Sequence, residues 1–221
     1  MSITASQPIV TTAEARTAFS ADHAATGVRK ARADETARLA QALARAFEDD
    51  PVSAWFFPDE SDRLERLERM YRLIFVPDHV GYGEAYTVGD YAGVALWTPP
   101  GEGKLGPMET LRLTPTVARI FGRWTPRALR GLSYQESKYP ERPHYHLVFI
   151  GVEPQRQGRG IGSQLMHPVL RRFDREGVPV YLEASTLRNR ALYLRHGFED
   201  LDVMRFPGGG PPMWRMWREP A

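Results

Sequence analysis

The sequence predicts a single α/β domain built on one mixed sheet, and three observations carry that prediction. First, Tyr145–Val152, Gly160–Glu176 and Val178–Ala184 read as strand, helix and strand in succession, which implies a parallel βαβ core with a right-handed crossover. Second, Glu84–Val88 and Ala92–Thr98, joined through Gly89-Asp90, read as a hairpin, and Phe198–Arg205 and Pro212–Arg218 read as two closing strands. Third, 221 residues with 42% hydrophobic and 25% charged composition bound the chain to one large globular domain or two small ones, and no internal repeat divides it.

Residues 1–27 are rich in Ala, Ser and Thr with poor periodicity, and read as a mobile tail with a short helix near Thr12–Ser20. Residues 28–221 form the domain. Val28–Arg32 is a strand candidate. Asp34 then caps a helix whose Leu39, Leu43 and Phe47 fall at four-residue spacing, and Asp49-Asp50-Pro51 stops it. Val52–Pro58 reads as an aromatic loop. A second helix, capped by Ser61, carries Leu64, Leu67, Tyr71, Ile74 and Phe75 as its apolar stripe and ends at Pro77. After the hairpin, residues 107–138 form a helical insert broken at Trp124-Thr125-Pro126, with Leu111, Val117, Ile120, Phe121, Leu129 and Leu132 facing inward.

The strand Tyr145–Val152 is near-continuously apolar, as expected when both faces are buried. The following helix contains Pro168, which predicts a bend or a lost bond near Gln164. Gly177 caps this helix and Gly197 caps a short one at Arg190–Arg195. Phe206–Pro211 is a glycine-rich loop between the last two strands.

Composition excludes several classes. The absence of cysteine removes disulfides, thiolate metal sites and a cysteine nucleophile, and fits a reducing cytosol. A net charge of +2 without a basic run gives no nucleic-acid footprint. No apolar run reaches the ~18–20 residues of a membrane span, and the N-terminus lacks the basic and apolar regions of a secretory signal. Histidine spacing yields no metal site.

The chemistry centres on Gln157-Gly158-Arg159-Gly160-Ile161-Gly162-Ser163. Three glycines within five residues, just before a helix, bare a row of backbone N–H groups at the positive helix end, a seat for phosphate. A Walker loop is excluded because no lysine lies near. A dinucleotide fold is opposed because the turn begins five residues after Val152 and no second βαβ half exists, although Glu183 stands at a tempting distance.

The stretch Gln157–Gly162, with Val152-Glu153-Pro154 before it and Ser163-Gln164-Leu165 after it, resembles the coenzyme A cradle of the GNAT superfamily of acyltransferases. Asn189–Phe198 matches a second signature of that superfamily at the right distance. The resemblance covers about residues 28–219 in layout and is sharpest over 145–198. Gly93–Pro99 and Val180–Ser185, with the helical insert, are similar to its puromycin N-acetyltransferase-like branch.

The resemblance implies an acyl-CoA N-acyltransferase fold with a mixed, mostly antiparallel sheet. It implies an N-acetyltransferase that moves an acetyl group from acetyl-CoA to a primary amine of a small molecule by direct attack. Backbone N–H groups of Gln157, Gly158, Arg159, Gly160, Ile161 and Gly162 would hold the pyrophosphate, and glycine lets the backbone approach. The pantetheine arm would pair along Ile150, Gly151 and Val152, where a free N–H can stabilise the thioester oxyanion. Arg159 and Ser163 either add phosphate contacts or face solvent.

By the same resemblance Tyr193 is the general acid for the departing thiolate; without the motif, an aromatic on a short helix reads as core. Asn189 would bond the pantetheine, or cap its helix, or both. Glu183, among apolar neighbours, is either the general base or a buried carboxylate tied to a backbone N–H or an arginine. His144 and His146 share one strand face and either line the pocket or pack, and His196 reads as helix C-terminal charge.

The acceptor pocket is expected across the sheet from the cofactor, walled by Glu48–Phe57, the insert and the 206–211 loop. Glu48, Asp49 and Asp50 suit a cationic amine there, while Trp55, Phe56 and Phe57 either stack on it or staple a helix end. Two alternatives stay open, a protein or peptide acetyltransferase and a non-catalytic acyl-CoA sensor. The expected setting is cytoplasmic, as a monomer or homodimer, with no metal, nucleic-acid or membrane partner.

Overall fold

Alternating and continuous apolar runs become seven strands of one sheet in the computed structural model, which describes residues 27–103 and 107–221. The predicted tail therefore lies, Gly27 apart, outside the described residues. The strands are β1 (Val28–Lys30), β2 (Ala85–Val88), β3 (Gly93–Thr98), β4 (Tyr145–Val152), β5 (Val180–Ala184), β6 (Glu199–Arg205) and β7 (Pro212–Arg218), in the order β1-β2-β3-β4-β5-β7-β6. Only β4 and β5 pair in parallel; every other neighbouring pair is antiparallel. The mixed sheet flanked by helices is the predicted fold.

One face packs on the crossover helix α7 (Ile161–Glu176), where Leu165, Val169 and Phe173 meet Trp97, Leu147 and Leu182. Pro168 is buried inside this helix, which runs on unbroken through it. The other face packs on α1 (Thr36–Phe47), where fully buried Leu39 and Leu43 meet Val94, Leu96 and Tyr71.

Several boundaries differ from expectation for local reasons. Asp34 does not cap α1. A 3-10 turn, Ala33–Glu35, precedes it, and Glu35 points inward to accept from the Arg32 backbone N–H, from Arg29 and from the Tyr91 hydroxyl. Asp50-Pro51 ends one helix and also begins the next, α2 (Pro51–Phe56). Asp50 accepts from Val52 N–H at 2.8 Å, and Pro51 occupies the first turn, where its missing N–H is no loss. Asp59, not Ser61, caps α3 (Glu60–Met70). Pro77 ends nothing: a π-turn, Tyr71–Phe75, widens the helix before α4 (Val76–Gly81), whose first turn accommodates the proline.

The insert forms α5 (Pro107–Phe121) and α6 (Thr125–Glu136) around a 3-10 turn at Gly122–Trp124. Leu111 and Leu129 face solvent rather than the core. The inner face of α6 is Ala128 and Gly131 instead, because a side chain at 131 would meet the Trp55 ring at 2.7 Å.

Two irregularities in β4 shape the site. Val148 has no partner in β3, since Leu147 pairs with Trp97 and Phe149 with Leu96, a bulge that swaps the faces of the residues after it. Pairing with β5 covers only Tyr145–Leu147 against Val180–Leu182, so the two strands part beyond Leu147. The strand expected to be buried on both faces is thus only half-buried from Val148 to Ile150.

Candidate active site

The glycine turn sits where β4 and β5 have parted. Gly158 and Gly160 have φ of 76° and 80°, and nothing lies within 4 Å of where their side chains would be. Glycine is thus needed for conformation, and the space above the turn is open. The first bond of α7 runs from Gln164 N–H to Gly160 C=O, so the N–H groups of Ile161, Gly162 and Ser163 are the unpaired ones of a helix start. Gln157 braces the turn, donating from Nε2 to the Val152 carbonyl at 3.2 Å and accepting from Arg188 at 3.2 Å.

A groove of about 420 Å³ runs from this turn along the free edge of β4. Ile150, Gly151 and Val152 form one wall. Gln157, Gly158, Gly160, Ile161, Gly162 and Ser163 form its floor, and Asn189 and Tyr193 close it. Of the residues expected at the cofactor, only Arg159 is not on this lining, and it is exposed. Ser163 Oγ lies 2.9 Å from His196 Nε2. Burial holds the His196 pKa below its ordinary value, so that residue is a neutral brace for the turn rather than the expected helix-end charge.

Helix α8 (Leu187–Leu194) starts earlier than predicted and is capped by Thr186, which accepts from Asn189 N–H at 3.1 Å. This frees the Asn189 side chain, whose Nδ2 donates to Ser185 Oγ at 3.4 Å. Ser185 in turn donates its one hydrogen to Asp50 Oδ2 at 2.5 Å. Asn189 itself lines the groove. Asp50, expected at the acceptor pocket, instead lines the groove beside the glycine turn. Burial raises its pKa above the usual carboxylate range. Tyr193 is buried against Phe198 in the same groove, and its pKa is raised by burial first and by the Asp50 charge second.

Glu183 is held by other partners than those expected. Its side chain, 3% exposed, accepts from the Tyr181 hydroxyl at 3.0 Å and meets His146 Nε2 at 2.8 Å. Arg215 enters only indirectly, donating to Tyr181 at 3.1 Å. His146, not Glu183, reaches open space. It lines a second cleft of about 450 Å³ with Thr98, Val148, Phe75, His79 and Tyr139. His144 is on this lining too, with Nδ1 2.6 Å from the Arg142 carbonyl.

Of the three segments expected to wall the acceptor, only the insert reaches this cleft, through Leu113. The others close on each other. Trp55 stacks on Phe206 with centroids 4.8 Å apart, and Arg127 lies 4.5 Å over the Trp55 ring. Phe57 stacks on Phe121 at 4.8 Å.

The bulge sets the two cavities against one strand. Val148 lines the cleft on the α4 side, and Ile150, two residues or about 7 Å along, packs toward α7 and lines the groove. Sequence reasoning had no signal for the bulge or for the His146–Glu183 contact, which joins residues 37 apart in the chain. Among the described residues no group of acidic or histidine side chains could hold a metal, and no helix is long and apolar enough to cross a membrane.

A helix start with unpaired N–H groups thus lies beside a sheet that opens between two parallel strands. Residues 38–198 match the model of the acetyltransferase (GNAT) family, and the chain belongs to that family. It is an acetyltransferase. An uncharacterized N-acetyltransferase of Schizosaccharomyces pombe, C550.08, is 30% identical over 182 residues, covering 77% of this chain and 73% of that protein. Among solved structures, a histone acetyltransferase HPA2 and related acetyltransferase from Corynebacterium glutamicum superposes with TM-score 0.67 at 24% identity, covering 88% of this chain and 96% of that one. The Drosophila melanogaster polyamine N-acetyltransferase, which forms N-acetylagmatine, superposes with TM-score 0.57 at 18% identity over 87% and 98%. These two likenesses speak for the fold alone.

Proposed function

We propose that the protein moves the acetyl group of acetyl-CoA to the primary amine of a small molecule by direct attack. The observation that carries this is a cleft lined by His146 and Val148 and a groove lined by Ile150–Val152, set along one strand to either side of its bulge. Pyrophosphate sits on the glycine turn, and the pantetheine arm lies along Ile150–Val152 with Asn189 accepting one of its amide N–H groups. The thioester then reaches the bulge, where a backbone N–H free of the ladder stabilises the oxyanion. The D. melanogaster relative's action on an amine agrees with this reading.

The acceptor enters from the cleft as an ammonium. His146 takes its first proton, and Glu183 holds the imidazole in place and stabilises the imidazolium. The nitrogen attacks the carbonyl carbon, the C–S bond breaks, and Tyr193 gives its proton to sulfur. The nitrogen loses its second proton to restore Tyr193, and His146 returns the first to solvent. Amide, free thiol and one proton result. Burial keeps Tyr193 protonated until a desolvated thiolate forms beside it. The reaction needs no metal, and a cytoplasmic setting would supply both substrates.

The test is release of free thiol from acetyl-CoA across a library of small amines, with lysine peptides as a separate arm. Thiol release with small amines supports the proposal. Release with peptides alone, or thermal stabilisation by acetyl-CoA with no release at all, would overturn it.

A further inference from the structure

The cleft has a polarity fixed by hydrogen positions around Thr98. The Phe75 carbonyl can only accept, so His79 Nδ1, 2.6 Å away, carries a hydrogen and donates it. His79 is buried, and burial lowers its pKa to about 4. The ring is therefore neutral near pH 7 and Nε2 holds a lone pair. Thr98 Oγ1 lies 3.1 Å from that nitrogen and must spend its single hydrogen there. Its remaining lone pairs are all it can offer a ligand.

The same reasoning applies across the ladder. Thr98 and His146 are direct partners in β3 and β4, and both line the cleft. Glu183 accepts, so His146 Nε2 donates to it at 2.8 Å, and in the neutral imidazole Nδ1 is left as an acceptor. Side chains on one face of such a pair lie about 5 Å apart at Cβ. Two acceptors therefore stand side by side, two residues before the bulge. The walls behind them include Ile74, Phe75, Leu113 and Val148, and the exposed carboxylates of Asp78, Glu102 and Glu141 border the cleft beside Arg142, which is paired with Glu219.

We propose, resting on the acetyltransfer reading above, that Thr98 determines acceptor specificity. One N–H of the attacking ammonium bonds to Thr98 Oγ1 and a second to His146 Nδ1. The pair selects a primary ammonium on an apolar or aromatic body over a group with a single donor. His79 is a positioning residue: it holds the Thr98 hydroxyl in its accepting orientation and touches no substrate. The acidic border draws the cation in, and the apolar walls take its body.

The experiment compares wild type, Thr98→Val and Thr98→Ser with acetyl-CoA and phenethylamine. N,N-dimethylphenethylamine, whose ammonium has one N–H, serves as a competitive inhibitor. In Thr98→Val the KM for phenethylamine should rise about tenfold or more, the loss of one hydrogen bond to a charged group. Thr98→Ser should stay within about threefold of wild type, because its hydroxyl is retained. Wild type should bind phenethylamine about tenfold more tightly than the dimethyl compound, and Thr98→Val should bind the two alike.

The wild-type comparison needs no variant, so it decides the matter even where Thr98→Val fails to fold. Equal binding of the two amines by wild type would overturn the proposal, as would an unchanged KM in a folded Thr98→Val enzyme that still turns over. A wild type that binds acetyl-CoA yet releases no thiol with any amine would overturn the acetyltransfer reading and this proposal with it.

Discussion

His146 Nε2 lies 2.8 Å from Glu183 Oε2, across the last stretch where β4 and β5 still pair. On the acetyltransfer reading proposed above, the contact makes a buried carboxylate and a cleft-lining imidazole one acid–base unit. His146→Gln should lower kcat by about 10²–10⁴, the usual worth of a positioned general base. Glu183→Gln should lower kcat less, because the imidazole remains. Both variants should keep the acetyl-CoA-induced rise in Tm. Steady-state rates with thermal shifts check this, and an undiminished kcat in His146→Gln would remove the base from the mechanism.

Tyr193→Phe keeps the ring that packs on Phe198 and removes only the hydroxyl. Turnover should fall by about 10²-fold or more while acetyl-CoA still stabilises the protein, since no step before thiolate departure needs the phenol. Single-turnover thiol release separates the two effects. Wild-type turnover in this variant would rule out the acid role.

Gly160→Asp attacks the seat itself. At φ 80° an aspartate is strained, and its charge would sit where a pyrophosphate is expected. The variant should fold, because nothing within 4 Å would clash with the new side chain. It should lose the Tm rise that acetyl-CoA gives the wild type. Retained stabilisation at the wild-type concentration range would mean that phosphate binds elsewhere.

How much of this was legible depends on range. Strand and helix periods, the glycine turn and the Asn189–Phe198 stretch are local patterns, and they placed the sheet, the crossover and the groove. Local chemistry with two meanings misled: Asp50-Pro51 reads equally as a stop and as a start, and Pro77 is tolerated once a π-turn precedes it. The bulge at Val148 and the parting of β4 from β5 follow from the packing of two sheet faces, and no residue in β4 announces them. Trp55, Phe56 and Phe57 had two fates, and Gly131 and Phe206, far along the chain, decided between them.

Glu84 and Arg172 form an ion pair at 2.6 Å with both side chains at or below 10% exposure, tying the start of β2 to the middle of α7. Replacing Glu84 leaves Arg172 with Glu176, 3.4 Å from its Nε, as a second carboxylate partner. Glu84→Gln should therefore lower unfolding stability by about 1.5–3 kcal/mol, the worth of one hydrogen bond to a charged group, without altering acceptor KM. Urea denaturation measures the first and steady-state kinetics the second. A loss below about 1 kcal/mol would show that water reaches the arginine, as at an exposed pair.

Asp50 gives a pH test of the groove. Burial is the largest influence on its carboxyl and raises the folded pKa above the ordinary 3.8, while the Ser185 bond pulls the other way without cancelling it. The folded carboxyl thus holds its proton more tightly than the unfolded one. The sign follows from linkage: stability is lost as pH rises from 3.8 through the raised value, and the loss persists above it. Asparagine at 50 keeps an oxygen to cap α2 and to accept from Ser185, but it does not titrate. The Tm of Asp50→Asn minus that of wild type should therefore grow more positive from below pH 3.8 to neutrality and then level off. The other carboxylates cancel in the difference, so a flat or falling curve would mean that the ionised Asp50 is as well solvated in the groove as in the unfolded chain.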